Sequence, residues 1–174
     1  MYNSQIFSES LLFNDKSISV DLEKWINSNE GNLLIIGFPG SGKTTIGKLL
    51  SEKYNIPYLS TDDLVRKAYK DLEDKGIKDP DNKEYREEVW KALELPYLSK
   101  DKKIMEGMCI ADAVKRKNIR KSILNSAVIF LGKSGLNSSI IASKRDTKKN
   151  YETFYMLHPE FYKLTFKRMQ SIIK

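Results

Sequence analysis

Asn32-Leu33-Leu34-Ile35-Ile36-Gly37-Phe38-Pro39-Gly40-Ser41-Gly42-Lys43-Thr44 decides how the rest of this chain is read. The first half is a short, wholly apolar run ending in glycine, the pattern of a central parallel strand covered on both faces. The second half spaces Gly37, Gly42, Lys43 and Thr44 as G-x-x-x-x-G-K-[ST], directly after the strand and at the opening of a helix. Glycines let the backbone curl with its N–H groups pointing inward, in conformations that a Cβ obstructs. The positive end of the following helix adds to the pull on an anion. A phosphate cradle built from Gly37, Pro39, Gly40, Ser41, Gly42, Lys43, Thr44 and Thr45 is the expectation.

Outward from this stretch, strands alternate with helices, which predicts an α/β fold with a mainly parallel central sheet flanked by helices. Upstream, Ile6 to Phe13 and Ser17 to Val20 read as a β-hairpin turning at Asn14-Asp15-Lys16, and Leu22 to Ser28 as a short helix; together they make an extension over residues 1–30. Downstream, Thr44 to Tyr54 places Ile46, Leu49, Leu50 and Tyr54 on one helical stripe. Ile56 to Ser60 reads as the next strand. A helix over roughly 62–75 follows, lined by Leu64, Val65, Ala68, Tyr69 and Leu72 and capped by Ser60 or Thr61. Asn82 to Leu95 is a helix that Pro96 is expected to stop. Lys103 to Gly107 and Ala127 to Leu131 are strands, with a basic helix or helix pair over 110–124 between them. Leu136 to Lys149 and Pro159 to Ile173 are the last helices.

With 174 residues and 40% hydrophobic content, the chain has enough apolar material for one domain over 1–174 without disulfides or structural metal. Its one cysteine, Cys109, has no partner for an internal disulfide, and one histidine gives no zinc cluster. Leu33 to Ile36, like the other apolar runs, is far too short to span a bilayer. The first residues lack the basic-then-apolar layout of a secretory signal, so a cytoplasmic location with no membrane partner is expected. The net charge of +7 is uneven: residues 101–174 hold 16 basic against 6 acidic side chains. A polyanion such as nucleic acid explains that excess, and so does a solvated lysine-rich face.

The Gly-Phe-Pro-Gly-Ser-Gly-Lys-Thr-Thr segment resembles the P-loop NTPases, and among them the small-molecule and nucleotide kinases. The resemblance implies a three-layer sandwich and ATP with Mg²⁺ as phosphoryl donor. Lys43 would reach the β- and γ-phosphates and Thr44 would ligate Mg²⁺. No Asn-Lys-x-Asp guanine-recognition motif occurs. Ile104-Met105-Glu106-Gly107 looks like the hydrophobic-Glu-Gly step of several such kinases, which makes Glu106 a second candidate for the metal. A buried Glu beside the cradle needs a donor or a cation close by.

Thr61-Asp62-Asp63 follows a strand whose end should open onto the cradle's crevice. An alcohol acceptor must lose a proton, so Asp62 is the candidate base, with Asp63 capping the helix or supporting the metal. The Asp-Asp step with Arg66 after it resembles phage polynucleotide 5′-hydroxyl kinases and implies an acceptor-phosphate role for Arg66, although here two residues, Leu64 and Val65, intervene. Gly132 to Ser139 and Lys144-Arg145-Asp146 resemble phage P-loop kinases that act on 5-hydroxymethyluracil in DNA. That resemblance implies a lid-like segment over 133–150 in which Arg145 neutralises charge with Lys144 or Lys133. The leading expectation is therefore a kinase for a hydroxyl on DNA. The alternatives are a nucleoside or nucleoside-monophosphate kinase acting on a free nucleotide, and a non-catalytic nucleotide-binding module.

Overall fold

A computed structural model describes residues 5–7, 22, 24–28, 31–77, 79, 83–113, 115–131, 160, 163–164 and 167. The strands are β1 (Gln5–Phe7), β2 (Leu33–Gly37), β3 (Tyr58–Ser60), β4 (Ile104–Glu106) and β5 (Ala127–Leu131). The helices are α1 (Lys43–Tyr54), α2 (Thr61–Asp74), α3 (Lys83–Leu98), α4 (Ile110–Ala113) and α5 (Lys117–Leu124). All strand pairs are parallel, in the order β1-β5-β2-β4-β3. β2 is thus central, and every one of its residues is buried.

Alternation along β2 sorts its side chains between two apolar layers. Leu34 and Ile36 join Met105, Val128 and Phe130 under α4 and α5, with Ile110, Ile119 and Ile123 packed on them. Leu33 and Ile35 join Ile104, Ile129 and Leu131 on the opposite face, covered by Ile46 and Leu50 of α1 and by Trp25. A third cluster, with Ala68, Leu72, Tyr85, Val89 and Leu93, binds α2 to α3. The expected sandwich is therefore present.

The chain leaves β2 through α1, passes over β4 to reach β3, and later returns across β2 to β5. Connections diverge from the middle of the sheet, and that divergence leaves a crevice at the carboxyl ends of β2 and β4. Three sequence expectations change. Gln5–Phe7 is a parallel edge strand beside β5, while the rest of the expected hairpin lies outside the described residues. Leu49 is 46% exposed, so only part of the α1 stripe is core. α3 runs through Pro96 to Leu98. The last turn survives because buried Tyr97 anchors it, its carbonyl accepting from Ser122 Oγ at 2.9 Å while the Pro96 carbonyl accepts from Lys103 Nζ at 3.2 Å. The expected helix over 136–149 lies outside the described residues; Glu160, Lys163, Leu164 and Lys167 are helical, as expected.

Candidate active site

Gly40 (φ 80°) and Gly42 (φ 95°) adopt positive φ, and Ser41 N–H between them donates to the Phe38 carbonyl at 3.1 Å. α1 begins directly after Gly42 with no side-chain cap and no acid in its first turn. Its leading N–H groups and positive end therefore face the loop without a carboxylate of the helix itself in the first turn. Lys43 is buried, and its ammonium donates to the Phe38 carbonyl at 2.9 Å across the mouth of the loop. Ser41 Oγ is buried with no hydrogen-bond partner among the described residues.

Glu106 ends β4, in register with Ile35 of β2 and Ser60 of β3, and is 2% exposed. Oε1 accepts from Thr44 Oγ1 at 3.2 Å and from the Tyr58 hydroxyl at 2.9 Å. Oε2 is buried and unpartnered among the described residues. An open carboxylate oxygen beside a hydroxyl whose proton is already donated suits a divalent cation, which needs oxygen lone pairs. No group of three or more His, Cys, Asp or Glu able to hold a metal occurs among the described residues. Thr44 and Glu106, both expected at the metal, are thus in contact. Tyr58 is the residue that sequence reading missed; burial, then the nearby Glu106 carboxylate, push its hydroxyl pKa upward.

Asp62 and Asp63 open α2, both exposed. Ser60 is the cap, its Oγ accepting from Asp63 N–H at 3.4 Å. The Asp63 carboxylate instead pairs with Arg66 at 2.7 Å on a face where both side chains are 70% exposed. Arg66 Nε also donates to the Asp62 carbonyl, which folds this arginine back on its own helix. Asp62 looks the other way, toward the end of β4. Gly107 there has φ 146°, and a side chain at that position would collide with Thr61 Oγ1 and stand 3.6 Å from Asp62 Oδ1. Beyond it a cavity of about 190 Å³ is lined by Val65, Tyr69, Tyr85, Arg86, Trp90 and Cys109, among others. Burial, then Asp62 and Asp112, push the Cys109 thiol up to about 11, so it is a poor nucleophile at neutral pH. Arg145, Lys144 and Lys133 lie outside the described residues.

The basic stretch after β4 divides in two. Arg116 is spent on Glu94 (2.6 Å) and Glu87 (3.0 Å), whereas Lys117, Arg120 and Lys121 are exposed. Among the described residues no helix is long and apolar enough to cross a membrane.

A family model described as AAA domain matches residues 36–132, more than half of the chain and the whole span from the cradle to the end of β5. The chain belongs to the AAA domain family. Among curated proteins it is similar to an adenylate kinase of Geotalea daltonii, 51% identical over 47 residues (27% of this chain, 22% of that protein). It is also similar to a shikimate kinase of Caldicellulosiruptor bescii, 33% identical over 100 residues, covering 58% of this chain and 57% of the relative. The chain thus aligns with well under two thirds of these relatives' length. A shikimate kinase from Acinetobacter baumannii, solved in complex with shikimate, superposes with a TM-score of 0.51 at 18% identity, covering 82% of this chain and 83% of that one. The likeness establishes a shared fold.

Proposed function

We propose that the chain is a P-loop phosphotransferase that moves the γ-phosphoryl group of ATP to a hydroxyl of a small molecule. The reading is carried by Glu106, a buried carboxylate with one open oxygen, held against Thr44 at the foot of the glycine loop. The loop amides and Lys43 hold the phosphates, and Thr44 and Glu106 hold Mg²⁺ or its water. When bound, Mg²⁺ offsets the negative charge that makes phosphates resist attack. Asp62 accepts the proton of the acceptor hydroxyl; its oxygen forms the new bond to the γ-phosphorus, and the bond to the bridging oxygen breaks to release ADP. Arg145, with Lys144 and Lys133, is assigned charge neutralisation during transfer.

Two observations favour a small acceptor. The relatives' names carry adenylate and shikimate. The cavity lined by Cys109 and Asp112, about 190 Å³, is smaller than the ~300–1,000 Å³ common for ligand pockets. A hydroxyl on DNA is the second reading, favoured by the exposed Lys117, Arg120 and Lys121 on α5. γ-Labelled ATP offered with small alcohols, free nucleotides and DNA tests both. Label on a small alcohol supports the first reading, label confined to DNA moves the assignment to the second, and label on nothing overturns the kinase. Asp62→Asn should slow transfer to an alcohol by about 10²–10⁴-fold, and an unchanged rate removes the base.

A further inference from the structure

Tyr58 opens β3, and its side chain lies on the sheet face that α1 covers, with Ile104 and Ile35. Glu106 is two residues beyond Ile104 on β4 and therefore projects to the same face. Their contact is specific: the phenol donates to Oε1 at 2.9 Å, the oxygen that Thr44 already occupies at 3.2 Å, and leaves Oε2 open. The terminal torsion of a glutamate is broad, so an isolated carboxylate swings. Two donors on one oxygen, one from α1 and one from β3, remove that freedom. The ring is seated too, since it lies where a side chain at residue 47 would be: a Cβ on Gly47 would stand 2.6 Å from Tyr58 Cε2.

We propose that Tyr58 is a positioning residue for the metal end of the site, holding Glu106 so that Oε1 is spent on hydroxyls and Oε2 faces the cation or its water. This rests on the assignment of Thr44 and Glu106 to Mg²⁺. Outer partners of metal-side carboxylates act through orientation, and their loss typically costs about 10–100-fold in metal affinity. Tyr58→Phe keeps the ring and its packing and deletes only the donor.

The test is calorimetric titration of a non-hydrolysable ATP analogue at a series of Mg²⁺ concentrations. In Tyr58→Phe the metal-free affinity for the analogue should match wild type, while half-saturation by Mg²⁺ moves up about 10–100-fold. Gly47→Ala retains the hydroxyl but displaces the ring, and should give a smaller shift in the same direction. A Tyr58→Phe titration that overlays wild type overturns the proposal, as does a wild type that ignores Mg²⁺. The two readings fail separately. A shifted titration with no phosphorylated acceptor sinks the kinase and keeps the role of Tyr58; normal transfer with an unshifted titration does the reverse.

Discussion

Two buried glutamates show how differently the same side chain can be housed. Glu94 on α3 is 6% exposed and Glu106 on β4 is 2% exposed. Glu94 meets Arg116 Nε at 2.6 Å through one oxygen and Asn118 Nδ2 at 3.4 Å through the other. Arg116 goes on to Glu87 and lies over the Trp90 ring at 5.5 Å. Its hydrogen bond and charge hold the Glu87 carboxyl below its usual range. Among the described residues Glu106 has neutral hydroxyl donors alone, and both converge on one oxygen. A carboxylate matched by a guanidinium belongs to the scaffold, because both charges are answered within the fold. One housed among hydroxyls with an oxygen to spare keeps bonding capacity for a ligand.

That contrast can be broken by experiment. If Glu106 serves the metal as proposed, Glu106→Gln should lower transfer by about 10²-fold or more while the protein remains folded, since an open carboxylate oxygen is lost and no ion pair is. Glu94→Gln should do the opposite, costing about 1–3 kcal/mol in denaturant unfolding with transfer little changed. Equal losses of activity in both variants would erase the distinction. Gly107→Ala sharpens it from the backbone side. Positive φ and the contact with Thr61 Oγ1 should cost about 1–3 kcal/mol, and the stiffened end of β4 should disturb Glu106 enough for activity to fall with stability. Cys109 reports on Asp62 through pH. Alkylation should stay slow near pH 8–9 and rise toward pH 11, because the folded protein keeps the thiol protonated above its ordinary value. The same shift removes stability as pH rises from about 9 to about 11, where the unfolded chain ionises first. Asp62→Asn should move the alkylation profile to lower pH; an unmoved profile would separate Asp62 from the cavity. Smallest of all, Leu49→Lys should change stability by no more than about 0.5 kcal/mol, as for an exposed position.

Much of the glycine loop and its flanking elements was legible because their rules are local. The glycine loop, its strand and its helix are set by neighbours a few residues away, and β5 has the bounds its apolar run implies. Thr44 and Glu106 were named from separate segments, and the fold brings them to 3.2 Å. What escaped was tertiary. Tyr58 reads as one more apolar strand residue until Glu106, on another strand, meets its hydroxyl; a tyrosine on a strand otherwise made for burial was the available signal. Arg116 sat within a run of like charges, and only α3 reveals its two carboxylate partners. Pro96 obeys the rule for helix ends on paper, yet Tyr97 and its neighbours hold one further turn. Arg66, read as an acceptor-side group, and Asp63, read as a cap or metal support, pair with each other at i, i+3.

The place of β1 bears on how the molecule is made. Among the described residues Gln5–Phe7 adds to β5 alone, and β5 bonds to β2 on its other side. During synthesis Gln5–Phe7 leaves the ribosome long before its partner, residues 127–131, has emerged. Pairing across so much intervening chain is entropically slow, so β1 should be among the last of the five strands to gain amide-exchange protection as the protein matures.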